Sequence, residues 1–202
     1  MPNKLRIKSD FKKFIICFLE ENSKKNLISK NDEKFLYEKH IYDSLGIKLF
    51  FDKYNITGAK ILDIGCGGGF PCVPIAIEYP EMEITGIDSI HKKIDSVQII
   101  KEKLDLKNLS LICDRTENLT NTNFDIVISR AVANLEKICG YALPLLKKGG
   151  IFVAYKSKKT DEEIEAANKT LTQFNAKVID TIEYSLPTKE PYERKLIIIK
   201  KF

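Results

Sequence analysis

Residues 61–71 read ILDIGCGGGFP: an apolar run, then four glycines in five positions, then Phe70-Pro71. A buried strand that ends directly in a glycine cluster brings its backbone close to a ligand, because side chains at those positions would stand in the way. Pro71 suits the first turn of a helix. The stretch therefore reads strand, turn, helix, which is the opening of a βαβ unit.

The pattern continues outward from that point. Strand-length apolar runs at 60–64, 83–88, 109–113, 124–130 and 150–156 alternate with helical stretches at 71–78, 91–104, 134–146 and 160–174. Such alternation builds a parallel sheet through right-handed crossovers, with helices on both faces. The last two runs, AKVIDTIEYSL (176–186) and ERKLIIIKKF (193–202), follow one another across PTKEPY and read as an antiparallel hairpin closing the sheet. Upstream the period changes. Phe11, Phe14, Ile15, Phe18 and Leu19 form the stripe of an amphipathic helix over 10–21. A second helix is expected over 31–45, capped by Asn31 and stopped at Gly46, followed by the short apolar segment IKLFFDKY. The expectation is one α/β domain: a seven-stranded, mostly parallel sheet over 56–202, with a helical N-terminal extension, 1–55, packed on it.

Composition narrows the function classes. The 202 residues are 44% hydrophobic and 30% charged, enough to bury a real core. No apolar run reaches the ~20 residues of a membrane span. The lysine-rich start MPNKLRIKSDFKKF lacks the apolar region of a secretory signal, so a cytoplasmic protein without a membrane partner is expected. Five cysteines at irregular spacing indicate neither a disulfide framework nor a metal site. A net charge of +5 permits a polyanionic partner without requiring one. Of the 33 basic residues only Arg6, Arg115, Arg130 and Arg194 are arginines. In a lysine-dominated chain an arginine marks a place that needs a planar fork of donors.

Spacing then decides the ligand. In an open parallel sheet the ligand sits beyond the carboxyl ends of the strands, where strand order reverses. A dinucleotide fingerprint starting at Gly65 needs a small residue at 70, where Phe70 stands; one starting at Gly67 needs it at 72, where Cys72 stands. Both frames fail. What remains is Asp63-x-Gly65-x-Gly67-x-Gly69, with Asp88 ending the second strand where a carboxylate can accept the hydroxyls of a ribose. That arrangement suits S-adenosylmethionine, with Asp63 near the methionine ammonium through backbone or water contacts.

The motifs LDIGCGGGFPCVPIAI, DSIHKK, DRTENL, ISRAVANL, YKS and ERKLIIIKK, with NLIS and KHIYDSL upstream, resemble the bacterial small-subunit ribosomal RNA guanine-N7 methyltransferases, the glucose-inhibited division protein B family. The resemblance spans about 26–202. It implies a Rossmann-like class I methyltransferase acting on a guanosine in the 530 loop of 16S ribosomal RNA, free or in the small subunit, as a monomer without metal. By that resemblance Gly65 and Phe70 line the cofactor, Asp88 holds its ribose, and Thr116 and Glu117 meet the adenine. Arg130 stands beside the methionine end and the target base. Lys92, Lys93, Arg115, Lys156 and Arg194 form a basic rim for RNA, and His40 belongs to the upstream motif. The chain departs from the family pattern at His91, Asp114 and Ser157.

The residues add a chemical constraint of their own. Methylation of an exocyclic amine calls for an Asn/Asp-Pro-Pro-aromatic motif after the fourth strand, where this chain has Ser129-Arg130-Ala131. Methylation of a pyrimidine carbon calls for a cysteine nucleophile near that strand, but Pro71-Cys72 opens the first crossover helix. Guanine N7 needs neither, because its in-plane lone pair attacks directly. Catalysis is then positioning and electrostatics, with Arg130 on O6, phosphate or cofactor rather than on N7 itself. Two other readings stay open: a methyltransferase for a small molecule or protein, and a non-catalytic RNA-binding module of the same fold. Arg115 and Arg194 have a simpler reading as surface partners of Glu117 and Glu193.

Overall fold

The computed structural model describes residues 9–120, 123–157, 160–188, 190 and 192–202. Arg6 and parts of the PTKEPY connection lie outside them. In chain order the elements are α1 (Ser9–Lys25), α2 (Lys30–Glu33), α3 (Tyr42–Ser44), α4 (Lys48–Tyr54), β1 (Lys60–Ile64), α5 (Cys72–Glu78), β2 (Glu83–Asp88), α6 (His91–Leu104), β3 (Leu109–Cys113), β4 (Phe124–Arg130), α7 (Leu135–Leu145), β5 (Leu146–Lys156), α8 (Thr160–Gln173), β6 (Ala176–Leu186) and β7 (Tyr192–Lys201). The strands form one sheet in the order β3-β2-β1-β4-β5-β7-β6. All neighbours are parallel except β7, which runs antiparallel to both β5 and β6. The expected α/β architecture with its closing hairpin is therefore present. Strand order reverses between β1 and β4, so a crevice opens beyond Ile64 and Arg130.

The helices cover both faces. One core unites Ile61, Ile84, Ile126, Val153 and Ile198 with α5, α6 and the aromatic stripe of α1; the other packs α7 and α8 on Leu62, Val127, Phe152 and Ile197. Phe14 and Phe18 of α1 are fully buried, each burial favouring the fold by ~2–3 kcal/mol. They meet Phe70 of the glycine loop at ring distances of 5.6 Å and 5.0 Å. The N-terminal segment thus backs the loop directly.

The second helix differs from expectation. In place of one helix over 31–45, Ser29 caps the short α2, a π-helical turn follows over Leu36–Ile41, and α3 runs through a 3-10 turn, Leu45–Ile47, into α4. Gly46 is not a stop. A Cβ there would lie 2.6 Å from the Tyr184 ring, so the glycine is required for the close approach of β6. The segment read as IKLFFDKY is itself helical and ends where Asn55 takes a left-handed conformation. The π turn adds a residue to the helical register and re-aims Lys39 and His40 toward β4, a use that such turns often serve.

Candidate active site

Two adjoining clefts occupy the crevice. The first, about 480 Å³, is lined by Gly65, Asp88, Thr116, Glu117, Ala131 and Val132, among others. Its floor is the loop after β1, whose turn is held by the amides of Gly65 and Cys66 donating to the Ile87 carbonyl at 2.8 Å and 3.0 Å. Gly65 has φ +69°, and a Cβ on it would lie 2.5 Å from Val132 Cγ2, so backbone alone fits between loop and wall. Asp88 braces the same loop. Its Oδ2 accepts from the Gly67 amide at 3.0 Å and its Oδ1 from the Ile90 amide at 2.9 Å, which fixes the carboxylate at the cleft and leaves lone pairs for a ligand hydroxyl.

Beneath the loop lies Asp63, fully buried. Its Oδ2 accepts from the Cys72 amide at 3.0 Å, while Oδ1 has no partner. Burial pushes this carboxyl up to about 7, against the pull of the Cys72 hydrogen bonds and the more distant Arg130. A buried acceptor without a donor, next to a cleft floored by bare backbone, fits a ligand that brings a cationic or donor group. S-adenosylmethionine has one in its ammonium.

The second cleft, about 290 Å³, shares Ala131 with the first and is lined by His40, Asp43, Arg130, Tyr192 and Arg194. Ala131 takes φ +57°, an unusual conformation for a residue with a side chain, and it stands as the wall between the two. Arg130 ends β4 and is clamped by the N-terminal segment. Its Nη1 donates to Asp43 Oδ2 at 3.0 Å and to the Lys39 carbonyl at 3.3 Å, its Nη2 to His40 Nδ1 at 3.2 Å, and its guanidinium lies 5.5 Å over the Phe70 ring. Because arginine can only donate, His40 Nδ1 is the acceptor and the ring proton sits on Nε2. Burial, reinforced by the Arg130 charge, lowers His40 to about 4, so the ring is neutral at physiological pH.

The expected residues sort accordingly. Gly65, Asp88, Thr116 and Glu117 meet in the first cleft, joined by Lys93 and Arg115 from the expected RNA rim. Phe70 does not line it: the ring is buried behind the loop against Phe14, Phe18 and His40. Gly67 contributes its amide to Asp88. Lys92 is exposed in the first turn of α6. Lys156 is not presented at a rim. It is 12% exposed and its ammonium donates to Glu163 at 2.6 Å and to the Ala133 carbonyl at 2.9 Å, bracing the loop after β4. Arg194 pairs with neither RNA-facing solvent nor Glu193. It grips Asp43 with Nε and Nη2, both at 2.9 Å. Among the described residues Arg115 forms no ion pair with Glu117, no group of metal-ligating side chains gathers, and no helix is long and apolar enough to cross a membrane.

Sequence reasoning gave Asp43 no role. It is 2% exposed and also accepts from Tyr184 Oη at 2.7 Å. The available signal was the scarcity of arginine, since two arginine forks near one site require a carboxylate, and the motif KHIYDSL supplies one three residues after His40.

A family model described as rRNA small subunit methyltransferase G matches residues 7–194. The chain is 39% identical over 195 residues to ribosomal RNA small subunit methyltransferase G of Staphylococcus saprophyticus, covering 95% of this chain and 80% of that protein. Among solved structures it is similar in fold to Pyrococcus horikoshii TYW2 in complex with MeSAdo, with TM-score 0.59, 14% identity, and coverage of 72% of this chain and 58% of that one. It is equally similar to the [4+2]-cyclase SpnF, with TM-score 0.60, 14% identity, and coverage of 78% and 80%. Fold likeness at this level spans different chemistries, so the site must carry the functional argument.

Proposed function

The chain belongs to the small-subunit ribosomal RNA methyltransferase G family, and on that premise we propose that it transfers the methyl group of S-adenosylmethionine to N7 of a guanosine in 16S ribosomal RNA. The observation that carries this reading is the shared wall at Ala131. A cleft of about 480 Å³ that holds the Asp88 carboxylate meets, across one small residue, a second pocket lined by arginine and aromatic side chains.

S-adenosylmethionine supplies a methyl group already activated on a sulfonium. The protein's task is therefore to hold and orient. Asp88 takes the ribose hydroxyls, Thr116 and Glu117 face the adenine, and Asp63, buried beneath the loop with one oxygen unpartnered, acts on the methionine ammonium through backbone or water contacts. Arg130, with three of its five N–H groups already spent on Lys39, Asp43 and His40, presents the rest of its fork at the boundary of the two clefts. It orients guanine through O6 and leaves the N7 lone pair free to attack. No side chain needs to take a proton, because N7 carries none. His40, neutral with its proton on Nε2, offers a further donor without adding charge. Lys93 and Arg115 at the outer cleft, with Lys92 beside them, supply sequence-independent attraction for the RNA backbone. The protein works as a monomer in the cytoplasm, where its ribosomal substrate is assembled.

Labelled cofactor offered with unmethylated small subunits, naked 16S RNA, free nucleosides or bulk protein tests this directly. Label mapped to guanine N7 of the RNA supports the reading, label on a metabolite or protein replaces it, and RNA binding without label removes the enzyme altogether. Arg130→Ala retaining full N7 methylation would remove the role given to that residue.

A further inference from the structure

Asp43 receives more hydrogen bonds than any other side chain at the site, yet holding guanine and donor as described above makes no use of it. Arg194 closes on both of its oxygens, Arg130 on Oδ2, and Tyr184 adds a fourth partner atom on Oδ1, so its lone pairs are spoken for and it cannot itself bind the base. The chemistry gives that burial a purpose. As the N7 lone pair forms the new N–C bond, the S–C bond breaks and its electron pair stays on sulfur. No proton leaves. The positive charge that began on the sulfonium therefore ends on the guanine, inside the pocket that holds two guanidinium groups. Lys39 and Asp32, which also line that pocket, pair with one another at 3.8 Å and cancel. With Asp43 the remaining pocket charge is +1; without it, +2.

The geometry points to Asp43 as a positioning residue that orients Arg130 and Arg194 and lowers the pocket's charge, so that a guanine turning cationic is tolerated there. This rests on the N7 reading. Its measurable content is a ratio: the affinity for N7-methylated RNA relative to unmethylated RNA of the same sequence.

Both affinities are to be measured with S-adenosylhomocysteine present, for the unaltered protein, Asp43→Asn and Arg194→Met, with folding checked by thermal unfolding. Removing the anion shifts the ratio against methylated RNA by about tenfold or more, the effect of one charge several ångströms away at an intermediate dielectric. Removing one cation shifts it the opposite way. In turnover, Asp43→Asn lowers kcat more than it raises KM for S-adenosylmethionine. Should Asp43→Asn not fold, Arg194→Met, in which Asp43 keeps Arg130, carries the test alone. Equal loss of affinity for both RNAs overturns the proposal and leaves Asp43 a structural ion pair. Failure of the unaltered protein to methylate N7 instead overturns the reading beneath it.

Discussion

Replacing Asp63 by asparagine should make the free protein more stable and a poorer binder of its methyl donor. The folded carboxyl keeps its proton up to about pH 7, whereas in the unfolded chain it loses it around 3.8. Below 3.8 both states are protonated and stability is full. As pH rises from there to about 7 the unfolded state alone releases its proton, so stability falls, and above that it levels off. Three pH units at ~1.4 kcal/mol each amount to ~4 kcal/mol, of which somewhat under half is already lost at pH 5. Asparagine keeps the shape and an oxygen for the Cys72 amide but cannot ionise. Asp63→Asn minus wild type should therefore be worth ~4 kcal/mol at pH 8 at most, and ~2–3 kcal/mol less at pH 5. His40 titrates the other way: its folded value of about 4 lies below the ordinary 6.5, so its contribution is lost as pH falls from 6.5 toward 4. That trend is present in both proteins and cancels in the difference. Urea denaturation from pH 5 to pH 8, with and without S-adenosylmethionine, is the assay. The ligand should raise the wild type's midpoint more than the variant's, since a ligand that binds the native state stabilises it in proportion to its affinity, and the variant lacks the carboxylate that favours the ligand's ammonium. A stability difference that stays flat across that range would refute the argument, because it would mean that Asp63 ionises in the folded state as easily as in water.

Two substitutions probe the cofactor cleft and the basic residues. Gly65→Ala places a methyl group against Val132 at a left-handed backbone position, and should cost ~1–2 kcal/mol of stability in thermal unfolding along with at least tenfold in S-adenosylmethionine affinity by calorimetry. Arg115→Ala should reduce the salt dependence of RNA binding by about one phosphate contact while stability is unchanged. Lys156→Met should do the reverse, strongly destabilising the loop after β4 by leaving Glu163 without its cation, with the salt slope intact.

What the sequence displayed and what it concealed divide along physical lines. β1, β2, β4 and β5 were legible because their central residues are buried between the helical layers and read as apolar runs, and the edge strand β3 was legible from its short apolar run after a helix. The cofactor cleft was legible for a related reason: Gly65 and Asp88 sit at strand ends, positions that the alternation itself fixes. The helical segment around His40 was not. A π turn leaves no mark on a 3.6-residue period, and Gly46 looks like a helix stop until Tyr184, far away in sequence, is found against it. Phe70 was misplaced because a loop residue beside a ligand-binding glycine can point to either side, and the side was chosen by Phe14 and Phe18 of α1. The family resemblance places Lys156 and Arg194 on a basic rim, while their partners, Glu163 and Asp43, are set by tertiary contacts that no local pattern reports.

The donor and acceptor sites are assembled on different scales of the chain. Every residue of the cofactor cleft falls between Ile64 and Tyr141, one unbroken run of strands and crossovers. The neighbouring pocket joins Asp43 to Arg194 across 151 positions, with Tyr184 between them on β6. During synthesis the cleft can therefore take shape while β6 and β7 are still to be made, but the pocket cannot. A nascent chain would hold its methyl donor before it had anywhere to place a base, and the capacity to modify RNA would arrive only with β7.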